Sequence, residues 1–278
     1  MPHLPARELA QARLARIIRR ATREQHRRLE DAMGWPPDVA RIPAQLWHDI
    51  EREQAESSRP LLAMIFLTAG AALGAILQKA TGQQVSPEEL GQEALRYGQQ
   101  RSLQLASVMA DATRDKLTAA ATDARQALQV QPEAIARKEF RERVGKVFSP
   151  ERAAAVGVTD TGFAARGGGN AVIGRFQAEN PGRTILKIWR HRERIVFGQH
   201  PCPLCAPLVG TSENEWAGIN PAAEQGPPLH VLCDCNWEGL LITKDEEERL
   251  PMTPPQGWDR PYRDQFTRIR DSRGPADR

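Results

Sequence analysis

The sequence predicts a mainly α protein, in which an elongated helical N-terminal part precedes a small α+β C-terminal domain that is clipped by zinc. Three observations lead to this prediction. The chain of 278 residues is rich in Ala, Arg, Glu and Gln, and only 5% of it is aromatic, which leaves little material for an aromatic-rich β core. Apolar residues recur at helical spacing between residues 7 and 148. All four cysteines lie between residues 202 and 235.

The first predicted helix covers residues 7–31 and is strongly basic. Its apolar stripe includes Leu14 and Ile18, which recur at helical spacing. Residues 1–30 contain three glutamates against eight arginines: Arg7, Arg13, Arg16, Arg19, Arg20, Arg23, Arg27 and Arg28. Such a segment can contact the phosphates of DNA or an acidic protein, and a solvated helix face or a loose arm is the alternative interpretation.

A second helix is predicted over Ala44–Ser58, because Pro60 follows it. Pro60 opens an uncharged segment, Leu61–Leu77, whose length is at the lower limit for crossing a bilayer. Gly70 and Gly74 have the GxxxG spacing that permits close helix approach. The segment lacks flanking Trp or Tyr, so we expect protein to bury it, and a membrane partner is the disfavoured alternative.

Two further helices follow. Ser86, Pro87 and Glu89 have the pattern of a helix start, with an N-cap, a proline in the first turn and a capping-box glutamate. This helix is expected to continue to about Val130, and another is expected over Glu133–Phe148.

The composition changes after residue 150. The run Gly167–Gly169 is interpreted as a flexible joint between helical segments. The stretch RTILKIWRHRERIVFG predicts two short strands around a turn at 190–193, and CNWEGLLITK predicts a last strand. The expected organisation is a basic arm and helix (1–59), a long-helix region (60–150), a C-terminal domain (151–244) and a flexible tail (245–278).

The cysteine pattern indicates a zinc site. A C-x-x-C pair presents two thiolates to one metal, and here a later H-x-x-C-x-C offers a second pair. The candidate ligands are Cys202, Cys205, Cys233, Cys235 and His230. The spacing leaves the fourth ligand open between Cys235 and His230, and unligated thiols or disulfides are the alternatives. The loop between the pairs has few core residues, namely Leu208, Val209, Trp216 and Ile219, so a metal would offset the entropy of ordering it.

The same region also partly matches two catalytic patterns. Zinc deaminases carry H-x-E and then P-C-x-x-C, and His191, Glu193 and Pro201 match these types. The intervening segment is too short for the helix and connections that the deaminase site needs. An HNH-type nuclease would need a histidine base near a metal-binding Asp or Asn, for which His230 and Asp234 are the nearby candidates.

Four elements between about Arg152 and Leu241 carry a resemblance. They are the helical AAAVGVTDTGFAARGGGNAVIG, the strand LKIWRHRERIVFG, the turn CPLCAPLVG and the closing PPLHVLCDC. Their order and spacing resemble the C-terminal domain of the Mu F-like head morphogenesis proteins, the minor head proteins of tailed phages. The chain departs from that pattern at Val231, where the family has Pro, and at Asp234, where it has Arg.

The resemblance implies a virion component with no enzymatic activity. It would lie in the phage head near the portal vertex and pass through the host cytoplasm during assembly. It would contact the portal protein, the major capsid protein or both, in multiple copies per virion. It would assist head assembly or genome packaging.

Overall fold

The computed structural model describes residues 7–190, 205–228 and 235–243, and most of these residues are helical, which confirms the mainly α fold. The long helices are α1 (Arg7–Met33), α2 (Ala44–Thr81), α3 (Pro87–Ala127), α4 (Glu133–Val147) and α5 (Pro150–Glu179). Strand β1 (Arg183–Arg190), the short helix α6 (Glu213–Ile219) and strand β2 (Asn236–Thr243) follow. Single 3₁₀ turns occupy Val39–Arg41, Ala206–Leu208 and Pro221–Ala223.

The chain divides into two compact units. The helical unit comprises the described residues of Pro5–Ile65 and Gln92–Thr161. The mixed unit comprises Phe66–Gly91 and the described residues from Gly162 onward, and it contains both strands. Helices α2, α3 and α5 each contribute a segment to both units.

The helical unit has an apolar core to which α1, α2, α3 and α4 contribute. Its larger buried side chains include Leu29, Met33, Trp47, Ile50, Leu117, Phe140 and Val144. On α1 the buried positions Leu14, Ile18 and Leu29 follow the helical period, as the sequence predicts. The burial of one face of each helix, more than intrinsic helix propensity, stabilises this unit.

One ion pair is buried in the helical unit. Arg101 Nε donates to Asp160 Oδ1 at 2.8 Å, and Arg101 Nη2 lies 2.6 Å from the same oxygen. Asp160 is only 3% exposed. Burial raises the pKa of the Asp160 carboxyl above its ordinary value, and the Arg101 guanidinium offsets part of that increase.

Helix α2 does not end before Pro60, so the predicted boundary at Ser58 is wrong. The helix continues from Ala44 through Pro60 to Thr81. A proline inside a helix leaves the carbonyl four residues earlier, here that of Glu56, without its helical donor. Both Pro60 and Glu56 are exposed, so water can satisfy that carbonyl.

The apolar part of α2 is long and hydrophobic enough to cross a membrane by length and composition. Its most apolar window has a mean hydropathy of 2.1, and 56% of that window is buried inside the protein. The predicted close approach at Gly70 is observed within the mixed unit. A Cβ atom at Gly70 would lie 3.0 Å from the carbonyl oxygen of Gly168 on α5.

The run Gly167–Gly169 lies inside α5, so its interpretation as a flexible joint is wrong. The glycines permit close packing. A Cβ atom at Gly168 would overlap the carbonyl oxygen of Phe66 on α2, and one at Gly169 would lie 2.7 Å from Cζ2 of Trp237 on β2. The absence of side chains at these helical positions therefore lets neighbouring elements approach α5 closely.

The start of α3 has the predicted N-cap at Ser86. The Glu89 backbone N–H donates to Ser86 Oγ at 3.4 Å, as an N-cap requires. The Glu89 carboxylate accepts from Arg175 Nη1 on α5 at 2.7 Å, which links these two helices in the mixed unit. The next predicted helix, Glu133–Phe148, is confirmed as α4.

Strands β1 and β2 pair antiparallel over their full lengths, from Arg183 opposite Thr243 to Arg190 opposite Asn236. They confirm the predicted strand in RTILKIWR and the predicted last strand. The second strand predicted after the turn at 190–193 lies outside the described residues, as do most of the turn and the tail at 245–278.

Candidate metal site

Strand β1 is paired along both edges at its C-terminal end. One edge carries β2, where Trp189 stands opposite Trp237. On the other edge the Trp189 N–H donates to the carbonyl of Thr211 at 2.9 Å, and its carbonyl accepts from the Gly210 N–H at 2.8 Å. Residues 210–212, a few positions after Cys205, thus form a short bridge on one side of β1, and the residues just after Cys235 form β2 on the other.

Helix α6 is fixed to β1 by its acidic first turn. Lys187 donates to Glu213 through its backbone N–H at 3.2 Å and through Nζ at 2.8 Å. The backbone N–H of Ser212 donates to Glu215 Oε2 at 3.0 Å, which caps the helix start. The segment between the two cysteine pairs is therefore ordered by specific contacts with the sheet.

Three tryptophans, Trp189, Trp216 and Trp237, are almost completely buried in the mixed unit. The Trp189 and Trp216 rings meet edge to face, with centroids 5.2 Å apart. Trp216 Nε1 donates to the Thr211 carbonyl at 3.2 Å. Arg166 on α5 donates to the Gly226 carbonyl at 2.9 Å. These three large rings thus contribute to the core of this unit beside its aliphatic side chains.

The loop contributes most of the core residues that the sequence predicts for it. Leu208, Val209 and Trp216 are buried, whereas Ile219 is 41% exposed. Gly210 has a φ of +85°, a left-handed conformation in which glycine avoids steric strain. This turn aligns Gly210 and Thr211 with Trp189.

Two of the five candidate ligands, Cys205 and Cys235, belong to the described residues, and both are buried. Cys205 precedes the 3₁₀ turn Ala206–Leu208, and Cys235 directly precedes β2. Each cysteine therefore comes shortly before a segment that pairs with the C-terminal end of β1. This backbone arrangement connects the C-x-x-C and H-x-x-C-x-C segments through one strand.

The other three candidate ligands, Cys202, His230 and Cys233, lie outside the described residues. Among the residues that the structure does describe, no three His, Cys, Asp or Glu side chains form a group that could hold a metal ion. The deaminase candidates at 191, 193 and 201 and the nuclease candidates at 230 and 234 also fall outside the described ranges.

Some residues that organise this region were missed at the sequence level. The ion pair between Lys187 and Glu213 joins residues far apart in the chain, and no local pattern identifies it. The sequence predicts only a strand at Trp237, although its ring also packs against Gly169 of α5. NWEGLLIT does not alternate between apolar and polar residues, so its pattern does not indicate which face of the sheet Trp237 occupies.

No family model, curated protein or solved structure matches the chain.

Proposed function

We propose that this chain is a structural minor head protein of a tailed phage, located near the portal vertex or inside the head. The observation that carries the proposal is the order and spacing of the four Mu F-like elements between 152 and 241. In this proposal the chain contacts the portal protein, the major capsid protein or both, and assists head assembly or genome packaging in the host cytoplasm.

The contacts within the mixed unit support treating the later elements as one unit. The first element lies on α5 and the described part of the second on β1, the third bonds to β1 through Gly210, and the fourth ends at Cys235, directly before β2. Lys187 of the second element and Arg166 of the first make polar contacts with Glu213 and Gly226, which lie in the loop between the third and fourth elements. A compact unit of this kind suits a protein that binds neighbouring subunits through fixed surfaces.

We also propose that this unit holds one structural zinc ion. Cys202, Cys205 and Cys233 would be ligands, with either Cys235 or His230 as the fourth. The residues fit the metal because thiolates are preferred zinc ligands and because both described cysteines are buried at segments joined through β1. Four protein ligands leave no position open for water, which favours a structural role over catalysis.

The alternative function is a zinc-dependent nucleic-acid-binding module or an HNH-type nuclease. The observation that favours it is the same cysteine pattern, together with His230 and Asp234. In a nuclease His230 would be the general base and not a zinc ligand. Metal-dependent cleavage of DNA by the purified chain, lost in His230→Gln, would therefore support the nuclease over the head protein.

We propose that protein, and not lipid, buries the apolar part of α2. Gly70 packs against the backbone of Gly168, and a Cβ atom at Gly74 would lie 3.4 Å from the Val85 side chain. Both glycines of the GxxxG pattern thus already face protein within the mixed unit.

Mass spectrometry of purified particles tests the head-protein role. Particles released by the strain that encodes this chain should contain it together with the portal and major capsid proteins, at fewer copies than the major capsid protein. A phage protein made in the same cells that is not part of the virion sets the contamination level. Abundant chain in the cell lysate, with no enrichment over that level in the particles, would contradict the proposal.

A further inference from the structure

The basic helix α1 places its arginines in distinct environments. Arg7 is buried in the protein. Arg28 pairs with Glu53 on α2, with Nη1 2.8 Å from Oε2. Arg19 lies close enough to Glu151 on α5 to contribute to the lowered pKa of that carboxyl, whose largest cause is a backbone hydrogen bond. Within the folded chain, one of these three arginines is therefore buried, one forms an ion pair and one lies near a carboxylate.

The remaining five arginines form one exposed ridge, which we call the α1 ridge: Arg13, Arg16, Arg20, Arg23 and Arg27. Their spacing alternates between three and four residues, so they fall within an arc of about 80° around the helix axis. The ridge lies opposite the buried face that contains Leu14, Ile18 and Leu29. At about 1.5 Å per residue it is about 21 Å long.

Little within the described chain neutralises the α1 ridge. Arg27 lies 3.8 Å from Glu24, but both side chains are more than half exposed, and such pairs contribute little. The other four arginines of the ridge form no ion pair among the described contacts. Five like charges in a row therefore remain available to an external anion.

We infer that the α1 ridge binds the phosphate backbone of double-stranded nucleic acid without reading its sequence. A duplex carries about one charge per 1.7 Å, or about twelve over the length of the ridge, so the two charge patterns are complementary. Guanidinium groups bind phosphate oxygens in a bidentate geometry. This inference does not depend on the head-protein role.

The composition of the ridge favours a duplex over the other polyanions. Binding of single strands relies on aromatic side chains on which bases stack, and the ridge contains none. Protein interfaces have an apolar centre, whereas the only large apolar side chain along this line is Leu9, beyond one end of the ridge. A row of arginines alone is suited to a continuous phosphate backbone.

Fluorescence anisotropy with a labelled random-sequence duplex tests this inference on the full chain. The ridge variant is Arg16→Gln/Arg20→Gln/Arg23→Gln. The control variant, Arg59→Gln/Arg96→Gln/Arg125→Gln, removes three exposed arginines from outside the ridge. Both variants lower the formal net charge from +3 to 0 (3 − 3), so they differ only in where the charge is lost. Glutamine has a high helix propensity, and circular dichroism checks that both variants fold.

The wild-type protein should bind the duplex with an affinity that falls steeply between about 50 and 200 mM salt. The ridge variant should bind at least about tenfold more weakly at low salt, and its slope of log affinity against log salt should shrink by about 2.7 (three contacts at 0.9 each). The control variant should keep its slope. Equal weakening of both variants, no wild-type binding to duplex at low salt, or tighter binding to a single strand of equal length would overturn the inference.

Discussion

Gly168→Ala is expected to destabilise the mixed unit by about 3 kcal/mol or more, at the upper end of the usual cost of overpacking. The new Cβ atom would overlap the carbonyl oxygen of Phe66 and lie 2.8 Å from its carbonyl carbon and 3.0 Å from the Gly70 backbone nitrogen. These are backbone atoms of α2, which no change of rotamer can move. The two helix segments must separate, and the packing between them is then lost.

The same helix offers a matched control. Gly174 also lies in α5, but a Cβ atom there would have no neighbour within 4 Å. Gly174→Ala should therefore stabilise the helix by about 0.5–1 kcal/mol, the usual advantage of alanine over glycine in a helix. Urea unfolding followed by circular dichroism measures both variants. A Gly168→Ala protein as stable as the wild type would show that α2 and α5 do not approach closely at this glycine.

Arg101→Met is expected to destabilise the helical unit by about 3–5 kcal/mol near pH 7, because it leaves a buried carboxylate without its partner. Asp160 is 3% exposed, and its charge is balanced by two close contacts from Arg101. The exposed pair of Arg52 with Asp49 is the control, and Arg52→Met should change the stability by less than about 1 kcal/mol.

The effect of Arg101→Met should depend on pH. Burial raises the pKa of Asp160, and removing the guanidinium raises this pKa further. The folded state then binds the proton more tightly than the unfolded state, so stability is highest in acid and falls as the pH rises through the folded pKa. The deficit relative to the wild type should therefore shrink at acidic pH. Restoration of stability near pH 7 by adding Asp160→Asn would identify the unpaired charge as the cause, whereas a deficit independent of pH would contradict it.

Helix α1 and strand β2 could be predicted because their patterns are local. The period of Leu14 and Ile18 indicates the face that α1 buries, and the short apolar run in NWEGLLIT indicates a strand. The prediction that the helix ends before Pro60 was wrong. It used only the local cost of a proline inside a helix, and that cost is lower here because Glu56 is exposed and water can satisfy its carbonyl.

The glycine run shows why tertiary packing is difficult to predict from one sequence. Three consecutive glycines are typical of a joint. Here, however, Gly168 packs against the backbone of α2, and Gly169 packs against the ring of Trp237. Those neighbours are distant in the chain, and no local sequence pattern identifies them. The cysteine pattern predicts a zinc site because metal ligands recur at fixed spacings, but spacing alone does not choose between Cys235 and His230.

Metal analysis of protein purified without added zinc tests the central structural claim most directly, namely that the cysteine segments around β1 hold one zinc ion. We expect about one zinc per chain, lost in Cys205→Ser together with thermal stability of the mixed unit. Of Cys235→Ser and His230→Gln, only the variant that removes the fourth ligand should lose the metal. A metal-free wild-type protein whose stability is unchanged by a chelator would contradict the claim.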